Sequence, residues 1–224
     1  ACGLAYADPS RDLSAALRSK PSKPMSSIIE PKEVSKLMLA ITGYSRPVVR
    51  SALLLGILTF VRPGELRTAE WSEFDMEAAE WRIPAAKMKM KRPHIVPLST
   101  QTLEVLQELH PITGHGSYLF PSIRTTSRPM SDATVNAALR ALGYTREEIT
   151  GHGFRAMASS LLAERSWSVD AIERQLAHVE GNKIRAAYHR SEHLEERRKM
   201  MQDWANYLDT LREQAESSIS ASAS

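Results

Sequence analysis

The sequence predicts a mainly α-helical domain that carries a small antiparallel sheet of three strands. Apolar residues recur at helical spacing in two segments near the start and through most of the second half. Three short stretches between residues 66 and 99 instead show alternation or β-branched residues, with turn-forming residues between them. With 224 residues, 42% of them hydrophobic, the chain is long enough to bury one good core.

The helices are predicted from apolar periodicity and from residues that begin helices. Pro31 suits a first helical position, and the apolar residues after it fall on one face of the segment 31–44. The segment 47–59 is apolar almost all round, so it should be the central buried helix. Ser168 suits an N-cap. Further helices are predicted at about residues 100–110, 131–142, 145–149, 153–165, 169–178, 182–188 and 192–213.

The three strands are predicted in the stretches LRTAEWSEF, EWRIPA and HIVPLS, which span residues 66–74, 80–85 and 94–99. They lie close together in the sequence and are separated by turn-forming residues, which favours antiparallel pairing.

Composition excludes several classes of protein. The single cysteine, Cys2, rules out an internal disulfide framework and a cysteine-based zinc site, and it fits a reducing cytoplasm. The longest apolar run, VVRSALLLGILTFV, is interrupted by Arg50 and is too short to cross a bilayer, so no membrane partner is predicted.

Positive charge is modest in total but uneven along the chain. The net charge is +3, which by itself does not indicate a nucleic-acid partner. The stretch RIPAAKMKMKRPH holds five cations and no carboxylate: Arg82, Lys87, Lys89, Lys91 and Arg92. On charge alone, a solvated hairpin is favoured over a nucleic-acid contact as the explanation of this run.

The segment HGFRAMASSLL begins a predicted helix with a histidine and an arginine on one face. His152 and Arg155 are three positions apart, so both point toward whatever lies in front of the helix start. A helix N-terminus attracts anions through its unpaired N–H groups and its dipole. The segment therefore predicts a bound negative group.

Six residues together suit chemistry on a phosphodiester. Arginine forks match phosphate oxygens, tyrosine is an oxygen nucleophile, and lysine or histidine can supply or remove protons. No dense Asp/Glu cluster and no zinc-binding histidine pair is found, so a metal-free mechanism without any cofactor is predicted. The six candidates are Arg62, Lys89, His152, Arg155, His178 and Tyr188.

Each candidate also has a plain structural interpretation. RPGEL can be a helix stop with a local salt bridge, and His152 with Arg155 can be a solvated helix start. Tyr188 can be a core aromatic, and His178 a favourable cation near a helix C-terminus. None of these residues is diagnostic alone.

Their order and spacing resemble the tyrosine recombinase (phage integrase) family. The motifs are TFVRPGEL, a lysine in the hairpin that ends IVPLS, HGFR, LAH, and a tyrosine ten residues after that histidine. The resemblance covers roughly residues 29–210 and is strongest toward the integrases of satellite phages and genomic islands. It implies the DNA breaking-rejoining fold, mainly helical with a small three-stranded sheet.

The resemblance implies a role for each matching residue. Arg62 and Arg155 match the two arginines that grip the scissile phosphate, and Tyr188 matches the nucleophile. Lys89 matches the hairpin lysine that protonates the departing 5′ oxygen. His152 would assist proton transfer near the nucleophile.

Further roles follow from the same resemblance. His178 would donate a hydrogen bond to a phosphate oxygen, and Glu65 would orient neighbouring groups. Ala177 stands where many family members have glycine. The neighbouring hairpin cations Lys87, Lys91 and Arg92 are predicted to contact DNA.

The family also implies organisation and partners. Residues 1–28 are expected to be the end of an N-terminal DNA-binding domain plus a linker, residues 29–213 the catalytic domain, and residues 214–224 a disordered tail.

The partner implied by the family is double-stranded DNA at the attachment sites of a mobile element. The protein would be a homo-tetramer on DNA and a monomer in isolation. An accessory DNA-bending protein or an excisionase would be a further partner. The protein would act in the bacterial cytoplasm at the nucleoid. The apolar stripe that runs from Leu194 to Leu211 is predicted to pack in the core, with docking on a neighbouring protomer as the alternative.

Two other functions remain open at this point. Residues 153–178 could form a helix-turn-helix that binds DNA without catalysis, although this leaves Arg62, Lys89 and Tyr188 unexplained. A type IB topoisomerase would share the phosphotyrosine chemistry without exchanging partners.

Overall fold

The computed structural model describes residues 27–178 and 193–222, which form a mainly helical fold with a three-stranded sheet. Tyr188 and the helix predicted at 182–188 lie outside these residues. The helices, numbered in chain order, are α1 Pro31–Thr42, α2 Pro47–Thr59, α3 Pro63–Arg67, α4 Thr100–Thr113, α5 Thr134–Ala141, α6 Gly153–Glu164, α7 Val169–Gln175 and α8 Leu194–Ser222.

The predicted antiparallel sheet is confirmed, with strands β1 Phe74–Asp75, β2 Glu80–Ile83 and β3 His94–Pro97 in the order β1-β2-β3. Trp81 of the central strand pairs with Phe74 on one side and Val96 on the other. A turn-rich connection between Ile83 and His94 carries the basic run, so the β2–β3 hairpin presents most of its cations to solvent.

A second, two-stranded hairpin is present that the sequence did not predict. It consists of β4 Pro121–Ser122 and β5 Thr125–Pro129. Four of the five residues of β5 are exposed and polar or charged, so they carry no apolar alternation that would mark a strand.

The core is built around α2, as its nearly continuous apolar sequence predicts. Leu53, Leu55 and Ile57 have no solvent-accessible surface. The apolar stripe of α8 packs on this core, and the indole N–H of Trp204 donates to the Ile57 carbonyl at 2.9 Å. The stripe therefore packs in the core of its own chain, as predicted.

Three boundaries predicted from the sequence are wrong. Only Phe74 of the stretch 66–74 lies in a strand of the sheet, because the backbone N–H of Trp71 instead bonds the Ser117 carbonyl at 2.9 Å and a 3₁₀ turn follows. Residues 145–149 form a turn in which Glu148 accepts a hydrogen bond from the Thr145 N–H at 2.6 Å. The tail predicted to be disordered continues α8 as far as Ser222.

The continuation of α8 has a local cause. Arg212 forms an ion pair with Glu216 one turn later at 3.7 Å. The hydroxyls of Ser218 and Ser220 donate back to carbonyls four residues earlier, within the helix.

Candidate active site

Arg62 is fixed at the start of α3 by its own helix. Pro63 occupies the first helical position, where its missing N–H costs nothing. Glu65, which is 4% exposed, accepts from the Arg62 backbone N–H at 3.0 Å and from its Nη1 at 2.8 Å. Glu65 thus holds both the backbone and the guanidinium of Arg62 at this helix start, a geometry that is consistent with the orienting role predicted for Glu65.

Arg155 lies on the first turn of α6, and its guanidinium is buried. Its Nη1 donates to the Phe60 carbonyl at 2.8 Å and its Nη2 donates to the Leu176 carbonyl at 2.7 Å. Burial, and secondarily the charge of Arg62, lower the pKa of Arg155 to about 10, so the group remains charged at neutral pH. The sequence predicted a helix start with an arginine, but not that the arginine would reach inward.

The end of α7 holds both arginines. Leu176 supplies a carbonyl to Arg155, and the next residue, Ala177, supplies its carbonyl to Arg62 Nη2 at 3.1 Å. Two guanidinium groups therefore meet at consecutive peptide units. This arrangement suits a ligand with several negative oxygen atoms, since each arginine keeps further N–H donors beyond those bonded to the protein.

Two of the residues that supply carbonyl groups have left-handed backbone conformations. Phe60 has φ of 41° and Ala177 has φ of 49°. Such angles are uncommon for residues other than glycine, asparagine and aspartate. At Ala177 they close the end of α7, where the backbone N–H groups of Ala177 and His178 bond the carbonyls of Arg174 and Glu173.

His152 immediately precedes α6 and is partly buried. The loop before it is fixed by Asn136 of α5, whose side-chain oxygen accepts from the Gly151 N–H at 3.0 Å. Burial lowers the pKa of His152, and the positive charges of Arg155 and Arg62 lower it further. The imidazole is therefore neutral at neutral pH and can accept a proton.

His178 contacts Arg155 directly. Its Nε2 lies 3.3 Å from Arg155 Nη2, and its Nδ1 lies 2.6 Å from a carboxylate oxygen of Glu173. Because arginine only donates, Nε2 accepts in this contact and the proton is on Nδ1. Donation from Nε2 to a phosphate, the predicted role, therefore requires that Nε2 gain a proton and turn from Arg155.

The hairpin lysines divide into two kinds. Lys87 is partly buried, and its ammonium donates to Glu73 and, at 2.7 Å each, to Glu70 and to the Thr68 carbonyl. Burial acts to lower the pKa of Lys87, but the bonds and charges of the two carboxylates outweigh it and the net shift is upward. The three donors of Lys87 are bonded within the protein, so its contact with DNA, which would require some of them to be released, stays a prediction.

Lys89, Lys91 and Arg92 are exposed. Lys91 has φ of 53°, and its ammonium lies 3.3 Å from the Ala86 carbonyl, which tightens the hairpin turn. The hairpin therefore presents Lys89 to solvent on the chain connecting β2 and β3. Tyr188 lies outside the described residues.

Two further groups of this region were not predicted from the sequence. Gln175 and Arg197 are each 1% exposed and bond each other directly behind the end of α7. A glutamine and an arginine inside predicted amphipathic helices give no sequence signal of burial, since both residue types are usually exposed.

Across residues 27–178 and 193–222, no three His, Cys, Asp or Glu side chains are grouped so that they could hold a metal ion. None of the helices in these ranges has the length and apolar character needed to cross a membrane.

Residues 27–195 match the model of the phage integrase family, which is more than half of the chain. The chain belongs to the phage integrase family. It is 52% identical over 179 residues to the integrase of Enterobacteria phage P4, an alignment that covers 73% of this chain and 41% of that integrase. It is 42% identical over 207 residues to the prophage integrase IntA of Escherichia coli (strain K12), covering 92% of this chain and 50% of IntA.

Solved structures support the same fold. A lambda integrase dimer bound to a COC' core site matches with a TM-score of 0.56 and 25% identity, covering 80% of this chain and 51% of that one. The integrase from mycobacterium phage Brujita matches with a TM-score of 0.63 and 13% identity, covering 85% and 62% of the two chains. The predicted fold class, that of tyrosine recombinase catalytic domains, is confirmed.

Family membership also bears on the open alternatives. A free helix-turn-helix module is not favoured, because the match runs well beyond residues 153–178 and the end of α7 holds arginines of the site. The similar curated proteins are integrases, so a topoisomerase is not favoured either. The chain spans about half the length of the curated relatives that it matches.

Proposed function

We propose that this chain is the catalytic domain of a site-specific DNA recombinase that cleaves and rejoins DNA through a 3′-phosphotyrosyl bond to Tyr188. The observation that carries the proposal is the pair of guanidinium groups, Arg62 and Arg155, held by the carbonyls of consecutive residues. Two histidines lie beside this pair: the charge of Arg155 lowers the pKa of His152, and Nε2 of His178 lies 3.3 Å from Nη2 of Arg155. A phosphodiester has the charge and the oxygen atoms that such a site accepts.

The cleavage step exchanges one ester for another. The phenolic oxygen of Tyr188 forms a bond to phosphorus, and the bond from phosphorus to the 5′ oxygen breaks. The phenol proton passes to His152, which is neutral at pH 7 and so can take it. The departing 5′ oxygen takes a proton from Lys89.

The two arginines act on the charge of the transition state. Attack places additional negative charge on the non-bridging oxygens, and preorganised donors stabilise it without reorganising during the step. Arg155 is preorganised by its bonds to Phe60 and Leu176, and Arg62 by its bond to Glu65. No metal ion or cofactor is required in this scheme.

Rejoining is the reverse reaction with a different 5′ hydroxyl. Since the phosphotyrosyl ester retains the energy of the phosphodiester, strand exchange needs no ATP. A second DNA strand that supplies the hydroxyl yields recombinant product, which suits integration or excision of a mobile element.

The proposed partner is double-stranded DNA at attachment sites. The solved lambda integrases are a dimer bound to a COC' core site and a tetramer bound to a Holliday junction. By this likeness we infer a homo-tetramer on DNA and a monomer in isolation, with an accessory DNA-bending protein or excisionase at the attachment site. The protein would act in the bacterial cytoplasm at the nucleoid.

Lys91 and Arg92 are proposed to contact DNA phosphates from the exposed hairpin. Each contact releases counterions, so each steepens the salt dependence of binding by about 0.9 in log–log slope. The double variant K91A/R92A should bind DNA with a slope shallower by about 2. An unchanged slope would remove the hairpin from the DNA interface.

A nicked duplex built from the element–chromosome junctions tests the function. The nick lets the short strand with the free 5′ hydroxyl leave after cleavage, so the covalent complex accumulates. The protein should form a denaturation-resistant adduct, and Tyr188→Phe, which lacks only the nucleophilic oxygen, should form none. An adduct that persists in Y188F would overturn the assignment of the nucleophile.

A second duplex with a free 5′ hydroxyl separates recombinase from topoisomerase. A recombinase should join the trapped strand to that duplex and give a product with sequence from both DNAs. Relaxation of supercoiled plasmid without joined product would favour the topoisomerase.

A further inference from the structure

Gln175, the last residue of α7, is a buried amide that joins four parts of the fold. Its Oε1 accepts from Arg197 of α8, at 3.1 Å from Nε and 2.7 Å from Nη2. Its Nε2 donates to the Thr59 carbonyl at the end of α2, at 3.3 Å. Its backbone carbonyl accepts from His94 Nε2 of β3 at 3.1 Å. One side chain and its peptide unit therefore fix the end of α7 against α2, α8 and β3.

The groups that Gln175 fixes are the ones that hold the site arginines. Leu176 and Ala177, the next two residues, supply the carbonyls to Arg155 and Arg62. Thr59, the acceptor of the amide, is followed by Phe60, whose carbonyl is the other acceptor of Arg155. A shift of Gln175 would therefore move acceptors of both guanidinium groups.

Arg197 secures this amide from the opposite side. It is 1% exposed, and besides Gln175 it donates to the Ile95 carbonyl of β3. Burying an arginine costs free energy of desolvation, and apolar residues of similar volume often stabilise a core as well or better. Arg197 donates through two nitrogens to the Gln175 side chain directly behind the two site arginines, so it is placed to fix that side chain.

We propose that Gln175 and Arg197 are positioning residues for DNA cleavage, because their hydrogen-bonded pair sets the place of the α7 carbonyls that orient Arg155 and Arg62. Neither residue contacts the phosphate in this scheme. The inference rests on the proposed function, since it concerns the rate of the same phosphoryl transfer. Displacing a reacting group by about 1 Å can cost about 100-fold in rate, so a remote pair of this kind can control catalysis.

Methionine variants distinguish positioning from stability. Gln175→Met and Arg197→Met keep much of the side-chain volume but each leaves the other partner without its bond. The double variant Q175M/R197M removes both partners of this bond, so neither polar side chain is left unmatched, although the Thr59 and Ile95 carbonyls lose these donors. We expect each single variant to form the Tyr188 adduct about 10- to 100-fold more slowly at saturating DNA, with DNA affinity within threefold of the wild type. The double variant should melt above the less stable of the two single variants and still react slowly.

A second readout reports on the arginines themselves. Replacing one or the other non-bridging oxygen of the scissile phosphate by sulfur gives two stereoisomers, and oriented arginines should discriminate between them. The ratio of the two adduct rates should move toward one in Q175M/R197M. Loss of stability alone would leave this ratio as it is in the folded wild type.

Arg198→Gln is the matched control. Arg198 is the next residue of α8 and bonds Glu80 and the Ala78 carbonyl, on the side of the sheet. This variant should keep the wild-type rate and stereoisomer ratio.

The outcomes separate the two proposals. A double variant that regains both stability and the wild-type rate would overturn the positioning role, as would folded single variants with the wild-type rate. If the wild-type protein forms no Tyr188-dependent adduct, the proposed function fails and this inference fails with it. The double variant decides the case even where a single variant is too unstable to assay.

Discussion

The cations of the site and those of the β2–β3 hairpin are held by the protein in opposite ways. In the site, Arg155 is 5% exposed and donates to two backbone carbonyls, and Arg62 donates to Glu65 and a third carbonyl. In the β2–β3 hairpin, Lys89 and its two basic neighbours Lys91 and Arg92 are exposed. One region fixes its charges before any ligand arrives, whereas the other leaves them in water.

The difference indicates a division of labour. Fixed, partly desolvated charges stabilise a transition state strongly because they need no reorganisation. Solvated lysines are screened by salt until DNA covers them. They therefore suit contacts with backbone phosphates, which release counterions, and delivery of a proton that becomes effective only in the complex with DNA.

The largest effect is expected from Arg155→Lys. A lysine keeps the charge, but its single ammonium cannot bond both carbonyls and face a phosphate as a planar fork does. The rate of adduct formation at saturating DNA should fall by about 1000-fold. Arg165→Lys is the matched control, because Arg165 follows the other end of α6 and pairs with Asp203 at the surface. A rate for R155K within tenfold of the wild type would contradict preorganisation.

Lys89→Met should reduce the rate by about 100-fold while leaving stability within about 0.5 kcal/mol of the wild type. The exposed ammonium has no folding role to lose, but the departing 5′ oxygen loses its proton donor. A substrate with sulfur in place of that 5′ oxygen has a leaving group that needs no proton. K89M should cleave this substrate nearly as fast as the wild type does, and failure of that rescue would argue against a general acid.

Lys87→Met should have the reverse effect to Lys89→Met: it should lower the stability and leave the rate of adduct formation nearly unchanged. Removing the ammonium leaves Glu73, which is 9% exposed, without its ion-pair partner, and we expect a loss of about 2–3 kcal/mol in the free energy of unfolding. Urea unfolding measures the loss, and the adduct rate below the melting temperature should stay within about threefold. A stable K87M that cleaves slowly would exchange the roles of the two lysines.

Lys89 and Lys87 also show what the sequence can predict about this hairpin and what it cannot. Spacing to the IVPLS segment selected Lys89, and the structure leaves it exposed. The sequence could not show that Lys87 is ion-paired, since Glu70 and Glu73 reach it only after the chain has folded. Nor could it show the hairpin 121–129, where β5 has no apolar alternation.

The same limit applies within the site. Apolar periodicity located α6 and α7 to within a few residues, and the HGFR motif located a helix start with an arginine. That Arg155 turns inward depends on the left-handed turn at Phe60, and that Gln175 is buried depends on Arg197 of α8. Local patterns predict elements well, but contacts between distant segments decide which polar groups meet.

The buried side of the site should make stability depend on pH through His94. Burial, and secondarily the charge of Arg197, lower the pKa of His94 to about 3 from 6.5. Between these values the unfolded chain binds more protons, so stability is present above pH 6.5 and falls as the pH falls toward 3. At pH 5 the loss is about 2 kcal/mol relative to pH 7.5.

His94→Gln removes the titrating group but keeps an N–H donor for the Gln175 carbonyl. Urea unfolding at pH 5 and pH 7.5 should therefore show a difference smaller by about 2 kcal/mol in H94Q than in the wild type. Equal differences in the two proteins would mean that His94 is not held neutral by the fold.

The smallest effect is expected from Ala177→Gly. Alanine in the left-handed conformation at the end of α7 is strained by its Cβ, whereas glycine adopts the angle freely but loses more entropy on folding. The net gain should be about 0.5–1 kcal/mol in the free energy of unfolding, with the adduct rate within about twofold. Ala137→Gly, at an exposed position inside α5, should instead cost about 1 kcal/mol. A loss of stability in A177G would contradict this prediction, because the Cβ of Ala177 would then support the left-handed turn and not strain it. The carbonyl that holds Arg62 would be displaced in that case, and the adduct rate should fall together with the stability.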